Sequence, residues 1–409
     1  MAHSQAQKFW QSPTQQFVSC TISACFDPMS KPSIPYVEGA TFEVRRHEPP
    51  QPTRGSSCIA NPTDMKEQQR MSLLERCFLH PPLPGPATPA GSDSEYESVP
   101  SSSLSLLRIL KPISVHDNQA AQIILCGSGG DMIAKFYDPL YAATPTREND
   151  IFADPFRTAD YSYAHETAAY EALTRFAARH PHISCFFPRY YGSYTCEIST
   201  PLAGKTRTVR LILMEYIEGT CLSKVDPTQI PPLPQDGRKC IMASIVNAES
   251  ALSAGGLNHR DLFPRNIILR GYLGGRAGLA AVTTGELKRS SDFSVVVLDF
   301  GRSDILHGKR CADDQGRPIS PILRWDRRTE IHIDWQLLGW VDWDWQAWLE
   351  QQWKNSTTYA PITEELRKTW LGVYDRQFTV PPPVPLRKNK ETDGLEVPVM
   401  LKSRSKILR

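Results

Sequence analysis

Two short motifs restrict the fold of this chain more than any other part of its sequence. The first, HRDLFPRN, occupies residues 259–266, and the second, DFG, occupies residues 299–301. An apolar run typical of a β-strand follows the first motif at 267–269, and another precedes the second at 295–298. Each motif therefore predicts a loop beside a short strand, with polar side chains held at the strand ends.

The polar residues of these motifs suit phosphoryl transfer. That reaction needs a carboxylate to orient the attacking hydroxyl, and oxygen ligands to hold magnesium on the phosphates. Asp261 is the predicted catalytic carboxylate, and Asn266 and Asp299 are the predicted metal ligands, because hard cations prefer oxygen. The alternative for Asp261 is an aspartate that only caps its loop.

Composition narrows the class of protein. The chain has 409 residues, of which 40% are apolar, enough for the core of one large or two small domains. A net charge of +2 argues against a dominant nucleic-acid role. The ten cysteines form no CxxC pair, which favours reduced thiols. No signal peptide is apparent, and no apolar run reaches the roughly 20 residues of a membrane helix. These features predict a cytoplasmic or nuclear protein without a membrane partner.

The first 103 residues differ from the rest. Proline, serine and glutamine recur there, which predicts a largely disordered region. Within it, residues 16–26 alternate partly like a strand, and residues 66–79 have the pattern of a short helix. From residue 104 the spacing predicts a folded body with five strands and one helix after the third strand. The strands are expected at 104–113, 120–126, 132–137, 186–194 and 209–216, and the helix at 164–179.

The later part of the chain is expected to be mainly helical. A helix is predicted at 238–254, just before the first motif. The glycine-rich segment 271–292 is either a surface loop or a gene-model artefact. Tryptophans concentrate between residues 325 and 370, which predicts a packed helical core. The basic tail, 379–409, is predicted to be disordered.

Taken together, these features resemble the protein-kinase-like superfamily over residues 104–378. The chain looks most similar to divergent kinase-like proteins of filamentous fungi, with some features of aminoglycoside phosphotransferases. The resemblance implies an α+β, bilobal protein-kinase-like fold. Its N-lobe, 104–216, would hold a five-stranded antiparallel sheet with one helix, and its C-lobe, 217–378, would be mainly helical.

The resemblance also implies roles for residues outside the two motifs. Lys135, on the third predicted strand, would contact the α- and β-phosphates of ATP; the alternative is a solvated strand lysine. Its partner would be a glutamate on the following helix. Glu166 and Glu171 both fit by position, and the surrounding residues favour Glu166.

A further implied contact concerns the adenine ring. The end of the fifth predicted strand resembles the segment that joins the two lobes in this superfamily. Backbone groups from Glu215 to Ile217 would bind adenine, with Met214 beside the ring. An ordinary buried strand end would have the same sequence. His259 is expected to be a packed, hydrogen-bonded structural residue.

Three departures from the family pattern stand out. The turn at 114–119 contains no glycine, although protein kinases place a glycine-rich nucleotide loop there. Phe263 occupies the place where serine/threonine kinases carry a lysine, and Arg265 is a candidate to replace that charge. No APE motif or clear activation segment follows Gly301.

Two functions therefore remain open from the sequence. The first is an ATP- and Mg²⁺-dependent phosphotransferase whose acceptor is a hydroxyl on a protein or small molecule. The second is a pseudokinase that acts as a binding or scaffold module. The sequence predicts neither the acceptor nor the oligomeric state.

Overall fold

The structure, a computed structural model, describes residues 31–52, 62–84, 104–127, 131–142, 154–202, 204–228, 233–270, 293–306, 312–313, 315 and 317–377. The predicted strand at 16–26 and the glycine-rich segment 271–292 lie outside these residues. The chain divides into two compact units, residues 1–362 and 363–409.

Six antiparallel strands of the first unit close into a barrel in the order β1-β2-β3-β4-β6-β5. Their bounds are β1 Thr41–Arg46, β2 Leu104–Ser114, β3 Gln122–Cys126, β4 Met132–Tyr137, β5 Tyr190–Ser199 and β6 Thr206–Glu215. Strand β1 closes the barrel because it pairs with β2 on one side and with β5 on the other. A closed barrel leaves none of these strands with an unpaired edge.

The predicted bilobal fold, with a five-stranded sheet and a mainly helical second lobe, is wrong. The sheet is a closed barrel of six strands, and the mixed α+β content is what remains of the predicted class. The additional strand, β1, comes from the region predicted to be largely disordered. Only Phe42 and Val44 of its six residues are buried, and prolines surround it, so its period-2 signal is weak.

The remaining strands form two smaller sheets that frame the motifs. Strands β7 Gly219–Cys221, β9 Ile267–Arg270 and β10 Ser294–Val297 form a sheet in the order β10-β9-β7, and β8 Leu257–Asn258 pairs with β11 Asp304–Ile305. Both motifs therefore lie at strand ends, as the apolar runs beside them predict.

Three helices of the first unit precede or follow the early barrel strands. They are α1 Pro62–Arg70, α2 Leu73–Leu79 and α3 Pro155–Arg179. The single helix predicted at 66–79 is two helices, because Ser72 caps α2 in a capping box with Glu75. Helix α3 starts nine residues earlier than predicted (164 − 155 = 9), after the N-cap Asp154.

The other helices are α4 Gln235–Ala254, α5 Pro321–Arg324, α6 Glu330–Leu337, α7 Trp345–Trp353 and, in the second unit, α8 Glu364–Gln377. Tryptophans from and around α5, α6 and α7 join one buried core with α4, which confirms the predicted packing role. The Trp335 indole also donates to the carbonyl of Leu262 at 3.2 Å, which anchors the first motif loop to this core. Among the described helices, none has the length and apolarity to cross a membrane.

Candidate active site

The pairing of β9 with β10 brings the two motifs together. The ladder aligns Ile267 with Val297, so that Asn266 and Leu298 lie opposite each other just beyond it. The Leu298 N–H donates to the Asn266 carbonyl at 2.8 Å. Asp299 is the next residue after Leu298, and this register therefore places Asp299 beside Asn266.

His259 is a second connection between the motifs. Its Nδ1 accepts from the Asp261 N–H at 3.3 Å, and its Nε2 lies 2.8 Å from the Leu298 carbonyl. These partners require the neutral tautomer with the proton on Nε2. Burial lowers the pKa of His259, which keeps the ring neutral. The expected structural role of this residue is consistent with both bonds.

Asp261 is held on each of its carboxylate oxygens. The Asn266 Nδ2 donates to Oδ2 at 3.0 Å and to the Asp261 carbonyl at 2.8 Å, while the Arg265 guanidinium donates to Oδ1 at 2.5 Å. Because both partners of the Asn266 amide nitrogen are acceptors, the orientation of that amide is fixed. Its Oδ1 therefore lies on the side away from Asp261.

Both motifs contain a residue in left-handed backbone geometry. Arg260 has φ 58° and Asp299 has φ 62°. This conformation costs roughly 1–2 kcal/mol for a residue with a Cβ, and such strain concentrates at functional sites. The Arg260 side chain forms an ion pair with Asp304 at 2.9 Å, which holds the strained residue.

Lys135 lies between two carboxylates. Its Nζ is 2.6 Å from Glu166 Oε2 and 2.7 Å from Asp299 Oδ1. Strand β4 supplies the lysine, helix α3 supplies Glu166, and the residue after β10 and Leu298 supplies Asp299. Glu171, the other candidate partner, pairs with Arg175 at 3.9 Å on the surface of α3.

The three charges of this cluster control one another. Burial opposes the charge of Lys135, but Asp299 and Glu166 raise its pKa above the ordinary value. The Lys135 ammonium lowers the pKa of Asp299 to about 2, whereas burial raises the pKa of Glu166. Lys135 and Asp299 are therefore charged at neutral pH, as contact with phosphates and a cation requires.

Tyr137 belongs to the same cluster, although the sequence reasoning did not single it out. Its hydroxyl donates to Glu166 Oε2 at 2.5 Å, next to Lys135. The available signal was its position two residues after Lys135, because residues i and i+2 lie on the same face of a strand. Burial raises the pKa of the Tyr137 phenol, so it stays a donor.

Gly301 lies close to helix α3 and to the Lys135 cluster. A Cβ at this position would lie 3.4 Å from Glu166 Oε2 and 3.6 Å from Asp299 Oδ1. A side chain larger than methyl would compete with the lysine for that space. The glycine of the second motif therefore keeps room for the Lys135 cluster.

The predicted adenine-binding segment lies close to the lysine. In the β4–β6 ladder Met214 pairs with Ile133, two residues before Lys135, so Met214 shares a sheet face with the lysine. The Glu215 N–H already donates to the Arg189 carbonyl at 2.8 Å, and the Glu215 side chain pairs with Arg270 at 2.5 Å.

Ile217, the last predicted adenine contact, is buried. The residue between, Tyr216, donates its N–H to the Asp131 carbonyl at 2.9 Å. The N–H groups of Glu215 and Tyr216 are therefore already bonded within the protein. Adenine contact with the Glu215 carbonyl and with the backbone of Ile217 stays a prediction.

The glycine-free turn between β2 and β3 is held by side chains. The amide of the buried Gln122 accepts from the His116 N–H at 2.9 Å and donates to the His116 carbonyl at 2.8 Å. Asp117 forms an ion pair with Lys31 at 2.9 Å. Side-chain bonds therefore hold this turn in place, whereas a glycine-rich loop can fold over phosphates.

The donor set of the site fits a magnesium ion shared with phosphates. Asn266 turns its Oδ1 away from Asp261, and the Asp299 side chain is 46% exposed. Both offer the hard oxygen that magnesium prefers. In the part of the chain that the structure describes, no group of three or more His, Cys, Asp or Glu could hold a metal alone. An ion held by Asn266 and Asp299 would complete its coordination with water or phosphate oxygens.

Comparisons with known proteins give little beyond this geometry. No family model matches the chain, and no curated protein sequence matches it. Among solved structures it is similar to one titled "WaaP in complex with acyl carrier protein", at 17% identity and a TM-score of 0.30. That similarity covers 60% of this chain and 88% of the other. A likeness of this size carries no argument about chemistry, which rests on the residues of the site.

Proposed function

We propose that this protein is an ATP- and Mg²⁺-dependent phosphotransferase that transfers the γ-phosphoryl group to a hydroxyl. The observation that supports this most is the buried Lys135, held between Glu166 at 2.6 Å and Asp299 at 2.7 Å. Phosphoryl transfer is catalysed mainly by positioning and electrostatic stabilisation. A fixed cation beside a metal-binding carboxylate supplies both.

Asp261 is the proposed catalytic carboxylate. Asn266 and Arg265 orient its two oxygens, which prepares it to accept or orient the proton of the acceptor hydroxyl. The Arg265 guanidinium also lies over the Phe263 ring, with its Cζ 4.7 Å from the ring centroid. A positive charge thus stands beside Asp261, although Phe263 itself carries none.

Asn266 and Asp299 are the proposed ligands of the magnesium ion. When bound, magnesium would neutralise charge on the phosphates. Lys135 would hold the α- and β-phosphates, and Glu166 would keep the lysine in place for them. The Glu215–Ile217 segment and Met214 are the proposed contacts of the adenine ring.

The alternative function is a pseudokinase that binds partners without catalysis. The observation that favours it is the turn between β2 and β3, which Gln122 and the Lys31–Asp117 ion pair brace without a glycine. If that turn cannot cover the phosphates, nucleotide binding is weak. The proposed phosphotransferase must therefore retain its nucleotide mainly through Lys135 and the metal ligands.

A transfer assay with γ-labelled ATP separates the two functions. The acceptor is unidentified, so release of labelled phosphate to water and labelling of the chain itself are both measured, with and without Mg²⁺. The proposal predicts Mg²⁺-dependent transfer that Asp261→Asn reduces by about 10²-fold, within the contribution of roughly 10²- to 10⁴-fold that a general acid or base makes.

Glu171→Gln is the matched control, because it removes a carboxylate from the same helix as Glu166 without touching Lys135. It should transfer phosphate at the wild-type rate. Absence of Mg²⁺-dependent transfer in the wild-type protein, or equal activity in Asp261→Asn, would contradict the enzyme and leave the scaffold function.

A further inference from the structure

We infer that residues 62–84, which comprise α1, α2 and the four residues 81–84 that follow His80, form an N-terminal clamp that positions helix α3 so that Glu166 meets Lys135. The inference rests on the proposed function, because Glu166 matters for catalysis only if Lys135 holds phosphates. It assigns a positioning role to a region that the sequence predicts to be largely disordered.

The first contact of the N-terminal clamp is at the start of α3. Arg76 of α2 forms an ion pair with Asp154, the N-cap of α3, at 2.5 Å, and both side chains are 1% exposed. The Arg76 guanidinium also lies over the ring of Phe156, 4.7 Å from its centroid. The His80 ring is 5.5 Å from the same phenyl ring. These contacts fix the first turn of α3 to α2.

Two further contacts continue along α3. Asp64 of α1 pairs with Arg157 at 2.6 Å. Near the end of the N-terminal clamp, the Leu83 carbonyl accepts from the buried Arg210 of β6, and the Leu83 N–H bonds to Asp160. The anchored residues of α3 therefore recur every three positions, from 154 through 157 to 160. Spacing of three or four residues keeps neighbouring contacts on adjoining parts of one helix surface.

The geometry of α3 explains how these contacts affect the site. Glu166 follows Arg157 by nine residues, which is about 2.5 turns of an α-helix. Arg157 and Glu166 consequently point to opposite sides of α3. The N-terminal clamp holds one side of the helix, and Lys135 binds the carboxylate on the other.

The first barrel strand adds an independent anchor. His47, the residue after β1, places its Nε2 2.6 Å from the hydroxyl of Tyr163, which precedes Glu166 by three residues. Burial lowers the pKa of His47, so the neutral ring can accept a hydrogen bond from the Tyr163 phenol. The N-terminal region thus contacts α3 at the helix start, before Asp160 in the chain, and again after it, at Tyr163 close to Glu166.

The Asp64–Arg157 pair gives the sharpest test. Arg76 and Asp154 are fully buried, so breaking that pair risks unfolding. Arg157 is 39% exposed and lies at the third position of α3, where a glutamate suits the helix dipole. Arg157→Glu therefore breaks the contact with the N-terminal clamp, and it also places a negative charge near the buried Asp154. The double variant Asp64→Arg/Arg157→Glu returns opposite charges to the two positions, with their signs exchanged.

The experiment measures amide hydrogen exchange of residues 62–79 and 155–179 in the full chain, together with Mg²⁺-dependent phosphoryl transfer. Arg157→Glu should speed exchange in both segments and lower kcat about five- to tenfold, with the KM for ATP changed less than twofold. The double variant should return both readouts to within twofold of wild type. Arg175→Glu makes the same charge change at an exposed site of α3. It should leave kcat and the exchange of residues 62–79 unchanged, and any faster exchange should be confined to the part of α3 around the Glu171–Arg175 pair that it breaks.

A second background separates positioning from general stability. If the N-terminal clamp acts through Glu166, Arg157→Glu should reduce kcat less than twofold further when Glu166→Gln is already present. Equal losses in both backgrounds, or unchanged exchange in Arg157→Glu, would overturn the inference. If the wild-type protein transfers no phosphate, the proposed function fails. Amide hydrogen exchange alone then tests whether the N-terminal clamp holds α3. Rescue by the double variant supports the N-terminal clamp, and lack of rescue rejects it.

Discussion

The Asp261 half of the candidate site is built from residues close in the sequence, whereas the Lys135 half is assembled from distant ones. In the first half, Asn266 and Arg265 bind Asp261 from within the same loop. In the second half, strand β4 and helix α3 supply Lys135 and Glu166, and the helix in turn contacts residues 62–84.

This difference shows which contacts hold each half of the site in place. A loop that bonds to itself is held in place by the short β9–β10 ladder, by Trp335 and by the Arg260–Asp304 ion pair. The Lys135 half needs the barrel, α3 and the N-terminal clamp to be assembled together. Asp299 belongs to both halves, because it follows Leu298 at the loop and pairs with Lys135. We therefore expect substitutions at Asp299 to have the largest effects and those within one half to have smaller ones.

Asp299→Asn should break both halves at once. It keeps the shape of the side chain but removes the charge of a proposed metal ligand and one charged partner of Lys135. We expect kcat/KM for ATP to fall by about 10³-fold, in the range for loss of a preorganised electrostatic group. Steady-state phosphoryl transfer at subsaturating ATP with excess Mg²⁺ measures this. A loss smaller than that of Glu166→Gln would mean that Asp299 does not join the halves.

Glu166→Gln should damage only the Lys135 half. The lysine keeps Asp299 at 2.7 Å but loses its buried partner on α3. Misplacement of a positioning group costs up to about 10²-fold in rate, so we expect a fall of roughly 10- to 100-fold. The comparison of kcat with Glu171→Gln checks it, and an equal effect of both variants would contradict the assigned pair.

Asp160→Asn should change the pH dependence of stability on the Lys135 half. Burial raises the pKa of Asp160 to about 6, above the value of about 3.9 in an unfolded chain. The folded protein therefore keeps the Asp160 proton to higher pH than the unfolded chain does. The free energy of unfolding consequently falls as the pH rises from about 4 through about 6. The variant should be more stable above pH 6, by at most about 3 kcal/mol.

Denaturant unfolding at pH 4.5 and pH 7.5 measures this change. The difference in free energy of unfolding between variant and wild type should grow from the lower pH to the higher. A constant difference would show that burial does not raise the pKa of Asp160.

Arg265 should have the smallest effect, because its guanidinium is exposed. An exposed ion pair contributes about 0.2–1 kcal/mol, and about 1.4 kcal/mol is tenfold in rate. Arg265→Gln should therefore lower kcat about two- to fivefold, while Arg265→Lys keeps most of the activity. A much larger loss in Arg265→Gln, measured in the same transfer assay, would mean that Arg265 contacts the phosphate itself.

The same contrast explains what the sequence could predict. The positions of Asp261, Asn266 and Asp299 could be predicted from the two motifs and the strands beside them, because local spacing sets their geometry. Lys135 and Glu166 needed the resemblance, since spacing alone could not pair residues on a strand and a distant helix.

Two structural features missed from the sequence depend on contacts between residues that are distant in the chain. Strand β1 has too few buried residues to stand out, yet it closes the barrel through pairing with β2 and β5. Arg76 and Asp154 are 78 residues apart, and no period in the sequence connects them. Tertiary packing decides such contacts, and it leaves only a weak local signal.

The central claim is that the two halves form one magnesium–nucleotide site, and calorimetric titration with ATP tests it most directly. We predict that the wild-type protein binds ATP only with Mg²⁺, that Asp299→Asn abolishes this binding, and that Asp261→Asn retains it, because the proposed role of Asp261 is to orient the acceptor. Binding that is independent of Mg²⁺, or that survives in Asp299→Asn, would contradict the account.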